Sequence, residues 1–136
     1  MGRDGLYLAN ATVLLTHQID AAFWHEWDLF GLPGGAPLFV LTNLPIVFAV
    51  LWGAQALARG RAGGVVMSRA LVASGAIAIG LHGAFLASGH VAFRAPVSLG
   101  LLAATGVLSL AQASVLLLSR DARLETSQRT ITRSEE

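Results

Sequence analysis

The sequence predicts an all-α integral membrane protein, a four-helix bundle with both termini on the cytoplasmic side. Three observations carry that reading. Only 12% of the 136 residues are charged while 54% are hydrophobic, and the mean hydropathy is +0.64; a soluble domain usually carries about 25% charged residues. Four apolar stretches run near the length of about 20 residues that a helix needs to cross hydrocarbon roughly 30 Å thick. All nine cationic side chains are arginine, and eight of them gather on one side of those stretches.

The spans are expected at residues 5–24, 37–58, 65–89 and 96–119, forming one transmembrane domain over 1–119, with a polar and frayed cytoplasmic tail over 120–136. The first span is the most diluted, by Asn10, His17, Gln18 and Asp20. It also resembles the apolar core of a signal peptide, but His17, Asp20, Phe23 and Trp24 stand where a small-x-small cleavage site belongs, so it is expected to be retained. The turn Gly31-Leu32-Pro33-Gly34-Gly35-Ala36-Pro37 follows, with glycines that permit positive φ and Pro37 suited to a first helical turn. In the second span Pro45 removes a backbone donor, and Asn43 is positioned to offset the loss. The third carries Gly80, Gly83, Ala84 and Ala87, and the fourth Gly100, Ala103, Ala104 and Gly106, small residues that favour close helix contact in lipid.

Arg3, Arg59, Arg61, Arg69, Arg120, Arg123, Arg129 and Arg133 fall on one side of the spans and Arg94 on the other. The positive-inside rule then puts both termini in the cytoplasm and the stretches around 24–36 and 90–95 outside. Trp24, Trp27 and Phe30 are expected as aromatic anchors at the outer interface, and Tyr7 at the inner one. The absence of lysine with abundant alanine, glycine and leucine suggests a bacterial chain, hence a multi-pass protein of the cell inner membrane. A net charge of +1 excludes nucleic-acid binding by bulk electrostatics, and the absence of cysteine excludes disulfides, thiolate zinc sites and iron–sulfur clusters. The expected partners are the lipid bilayer, a second copy or another membrane protein.

With this topology, polar groups align in depth. At about 1.5 Å per residue, His17 lies about 13 Å below the outer edge, Asp20 about 9 Å, His82 about 12 Å, Asn43 about 9 Å and Thr105 about 13 Å. Each span thus contributes a polar group to one layer in the outer half. Ionisable groups in lipid are expensive, so His17, Asp20 and His82 form the candidate site, with Asn43 second. His17 and Asp20, three apart, share a helix face. His25, Glu26 and His90 are placed at the outer rim, while Gln55 and Gln112 lie deeper, away from the layer.

Several chemistries fit this set. The first is binding of a ligand or partner by a protein of unassigned activity. His17, Asp20 and His82 also make a His₂-carboxylate set for a divalent metal such as zinc, as in a membrane-embedded hydrolase. Two histidines and a carboxylate are ingredients of a proton or ion relay, but the layer spans only the outer half and the inner half offers just Asn10, Gln55 and Gln112, so a full transport route is expected to need an oligomer. Two histidines at equal depth are also a b-type haem pair. A purely structural use, hydrogen bonds that lock helix packing, stands beside all of these.

The run from His17 to Gly35, HQIDAAFWHEWDLFGLPGG, resembles the signature of an uncharacterised family of small bacterial membrane proteins. That signature has an H-[EQ]-I-D start, an aromatic H-E-W stretch and a closing L-F-G-L-P-G-G. The resemblance implies membrane location and a four-span plan, and no reaction. The run is also similar to H-x-x-E-E motifs of membrane proteins, but Ala21 stands where the second carboxylate belongs, which puts that comparison in doubt.

Overall fold

The computed structural model describes residues 2–89 and 94–134, with residues 120–134 described by their backbone alone. Among the described residues there are five helices and no strand: α1 (Arg3–Phe23), α2 (Glu26–Leu29), α3 (Gly35–Ala58), α4 (Ala62–Ala87) and α5 (Pro96–Ser134). Three segments are long and apolar enough to cross a membrane: Gly35–Ala58, Ala62–Ala87 and Pro96–Ser119. The 21-residue α1 has the length but not the hydropathy.

The four long helices pack side by side in the cyclic order α1, α3, α4, α5, with α1 and α4 also meeting across the middle. Their surface is inverted relative to a soluble protein. Leu41, Phe48, Leu51, Ile77 and Leu110 point outward, while Asn10, His17, Ser68, His82, Thr105, Ser109 and Gln112 are buried. In water such a chain would expose its apolar groups and desolvate its polar ones; in hydrocarbon both placements are favourable. A small apolar core of Tyr7, Ala11, Leu14, Val50 and Leu71 fills the side toward α3.

The connections follow local chemistry. The outer turn uses positive φ at Gly31, Gly34 and Gly35, as its glycines predict, and Pro37 falls in the first turn of α3. Helix α3 runs through Pro45. Asn43 does not offset the missing donor there: it caps the carbonyl of Phe39 at 2.9 Å, whereas Pro45 frees that of Leu41. The predicted small-residue contacts also move. A Cβ at Gly80, Gly83 or Gly100 would meet nothing, whereas one at Gly75 would run into Ser109 and one at Gly53 into Tyr7 and Met67. The bare backbone at Gly75 is what lets α4 and α5 close on one another.

Two further expectations change. Tyr7 is not an interfacial anchor; it is wholly buried, and its hydroxyl donates to the carbonyl of Val50 at 2.9 Å. Helix α5 continues through Ser134, where a frayed tail is expected. Residues 107–134 contain neither glycine nor proline, so nothing in the backbone chemistry stops a helix already nucleated in the apolar part.

Candidate functional site

Three helices turn a polar stripe inward. On α1, Asn10, Leu14, His17 and Ala21 recur at three- and four-residue steps and are all buried. On α4, Ser68, Gly75 and His82 recur at sevens. On α5, Ser98, Thr105, Ser109 and Gln112 share one face and are buried. Where the stripes meet, the polar groups form two clusters, one toward each end of the helices.

The first cluster, called outer after the side expected from the arginines, as the second is called inner, is built on His17 and His82. Their rings touch edge to face, with centroids 4.7 Å apart and planes at 71°. His82 Nδ1 lies 2.8 Å from the carbonyl oxygen of Ala78. A carbonyl only accepts, so Nδ1 carries the hydrogen and Nε2 presents a lone pair in the neutral ring. Nε2 faces Glu26 Oε1 at 3.6 Å, with side-chain exposures of 3% for His82 and 13% for Glu26. Asp20 is held by a short chain: Trp24 Nε1 donates to Ser98 Oγ at 3.2 Å, and Ser98 Oγ donates to Asp20 Oδ1 at 3.0 Å. Asp20 Oδ2 and His17 Nδ1 are buried without a hydrogen-bond partner among the described residues.

Glu26 reaches this cluster because the chain reverses at His25. That residue adopts left-handed backbone (φ 51°, ψ 51°) and redirects α1 into the short α2. Trp27, buried, stacks on the His25 ring and packs on Phe39, pinning α2 against α3. Burial pushes the Glu26 carboxyl above its ordinary value. The nearby Asp20 charge pushes the same way, and His82 partly opposes.

The inner cluster is neutral. Asn10 Nδ2 donates to Gln112 Oε1 at 2.8 Å and to Ser109 Oγ at 3.3 Å, and Gln112 Nε2 donates to the Ser68 carbonyl at 3.4 Å. Between the clusters sits Thr105, wholly buried, whose Oγ1 has no partner.

Of the residues singled out by the sequence, His17 and His82 are in direct contact, while Asp20 is bonded to Ser98 on α5 and lies near enough to act electrostatically on His17 and Glu26. Asn43 stands apart, lining an apolar groove between α1 and α3 with Gln18 and Ile19. His25 is exposed and faces Asp28 at 3.9 Å, as a rim residue should. Glu26 belongs to the cluster and not to the rim. His90 lies outside the described residues. Gln112 lies in the inner cluster, away from the histidines, and is bonded to Asn10 and to the Ser68 carbonyl. Trp24 and Trp27 serve the site and its cover, which corrects their reading as interfacial anchors. Ser68, Ser98 and Ser109 went unremarked in the sequence, although the seven-residue steps Ser68, Gly75, His82 and Ser98, Thr105, Gln112, with Ser109 one turn after Thr105, are a legible signal.

Among the described residues no group of three or more His, Asp or Glu side chains is arranged to hold a metal. The donors are committed elsewhere: His82 Nδ1 to Ala78 and Asp20 Oδ1 to Ser98. Nor do the two rings stand as a haem pair. Axial imidazoles flank a metal with bonds near 2 Å, which sets their centroids about 6 Å apart on opposite faces of the macrocycle; here the rings touch.

No curated protein and no solved structure matches this chain. A family of unknown function, DUF6713, matches residues 4–119, a stretch that takes in α1 to α4 and the apolar part of α5. The chain with its two buried polar clusters therefore belongs to the family of unknown function DUF6713.

Proposed function

We propose that this protein is a four-span protein of the bacterial inner membrane, with both termini cytoplasmic, that binds a proton in the buried His17–Asp20–Glu26–His82 cluster of a four-helix bundle. The arginine distribution supports the orientation. The inward polar stripe of α1 supports counting it as a fourth span, since its polar groups are shielded from lipid by α3, α4 and α5. The observation that carries the proton reading is Glu26 Oε1 3.6 Å from His82 Nε2, a carboxyl and an imidazole lone pair facing each other under cover, with a second imidazole in ring contact. One proton shared by such a pair leaves the site neutral as a carboxylic acid and free base, or as an ion pair.

Infrared difference spectroscopy of the protein in lipid, stepping pH, tests this. A protonated-carboxyl band that titrates and disappears in Glu26→Gln is expected. Retention of every carboxyl band in Glu26→Gln removes Glu26 from the site, and absence of any such band in the wild type ends the proton reading.

A further inference from the structure

We infer that the buried polar stripe is a path that carries protons through the single chain, from the outer His/Glu cluster to the inner Asn/Gln cluster. This inference rests on the proton site proposed above and extends it to the opposite side of the membrane.

The placement of three groups carries it. First, the clusters share faces: His17 lies seven residues above Asn10 on α1, and His82 lies fourteen above Ser68 on α4, so each helix contributes to both on one stripe. Second, Thr105 bridges them on α5. Its Oγ1 is wholly buried and unpartnered in the space between, and a buried hydroxyl without a partner is rare enough to need an explanation. Third, Ser109 lies one turn below Thr105 and is already bonded to Asn10. One turn is about 6 Å along the axis. Two hydrogen bonds of about 2.8 Å through one water cover that step. Gly75 presents bare backbone to the Ser109 hydroxyl and to the Thr105 methyl, since a Cβ there would strike Ser109 Oγ and press on Thr105 Cγ2. The polar file is thus backed by glycine on α4, where any side chain would displace it.

The transfer balances as follows. A proton from the outer water joins the Glu26 carboxylate and passes to Nε2 of His82. It moves on to Nδ1 of His17, which gives up its Nε2 hydrogen. Water ordered by Thr105 and Ser109 relays that proton past the Asn10–Gln112 pair, whose amides bond the file without taking the proton, to the cytoplasmic water. His17 is left with its hydrogen on Nδ1, and turning its ring over restores the starting tautomer. With that reset each hydroxyl oxygen has gained one proton and released one, no group is changed at the end of a cycle, and the electrochemical gradient supplies the drive. The structural alternative, in which Asn10, Ser109 and Gln112 only fasten α1 to α5, makes no use of Thr105.

The experiment is proton flux into liposomes containing the purified full chain and a trapped pH-sensitive dye, driven by a potassium gradient with valinomycin. The wild type should acidify the lumen at least tenfold faster than protein-free liposomes. Thr105→Val, which keeps shape and loses the hydroxyl, should lose most of that excess, and Thr105→Ser should retain it. Asn10→Leu should also lose it. Wild-type flux equal to that of empty liposomes, or full flux in Thr105→Val, overturns the path. The Glu26 infrared band reads the outer site separately: band present with no flux means that the site stands and the path does not.

Discussion

Glu26 shows how a single residue changes role once the backbone around it is known. In sequence it follows His25 at the end of a span and reads as a solvated rim carboxylate. In the structure the left-handed turn at His25 folds it back over His82, and Trp27 holds it there. No local pattern announces this, because a left-handed backbone at a non-glycine residue is uncommon and is imposed here by the packing of Trp27 on Phe39. His17 and Asp20 were legible, by contrast, because a charge inside an apolar run needs a reason whatever the fold. The carboxyl of Glu26 is pushed above its ordinary value of 4.5, chiefly by burial. A carboxyl whose folded value is raised contributes stability that is complete below the unfolded value and is lost as pH rises through the folded one. The protein should therefore lose thermal stability as pH is raised from acid to neutral, and Glu26→Gln should flatten that slope. A thermal melt series in detergent across this range reads it; an equal slope in the variant means that Glu26 is not the group responsible.

Among the elements, α4 and α5 carry the lesson about small residues. Gly80, Gly83 and Gly100 attract attention as small residues inside apolar spans, yet each opens onto free space. The glycine that sets the helix spacing is Gly75, at the centre of the seven-residue series Ser68, Gly75, His82. A periodicity of seven on one helix reveals a buried stripe, but which neighbour it meets depends on the cyclic order of the helices, and hydropathy carries no trace of that order. The same holds for α1, whose low hydropathy comes from the residues that it turns inward. The two kinds of glycine should respond oppositely. Gly75→Ala forces α4 from α5 and should cost about 1–3 kcal/mol, as overpacking does. Gly80→Ala adds helix propensity without a clash and should gain up to about 1 kcal/mol. Unfolding of both variants in the same detergent measures the pair, and similar effects at the two positions would show that α4 and α5 do not meet at Gly75.

For the whole molecule, orientation decides what the polar clusters face. Hydropathy and length made the apolar helices legible, and the exposed Leu41, Phe48 and Leu110 follow from the same cause, since lipid solvates them as well as a protein core would. For that reason helix association in lipid draws little from apolar burial and depends on close contacts and on interhelical hydrogen bonds averaging about 0.6 kcal/mol each. The Asn10–Gln112 and Trp24–Ser98–Asp20 links join α1, or the turn that follows it, to α5 near opposite ends and so fix the register of the most polar helix. Which end faces outward rests on arginine. Arg59 and Arg61 border the α3–α4 turn, and on the proposed orientation that turn is cytoplasmic and the Leu32 turn outside. The chain contains no cysteine, so single-cysteine variants report position without background. Leu32→Cys, exposed in the outer turn, should react with a membrane-impermeant maleimide in intact spheroplasts, and Ala62→Cys only after permeabilisation. The reverse pattern would invert the protein, place the His17–His82 cluster on the cytoplasmic side, and reverse the direction in which the proposed path meets the electrochemical gradient.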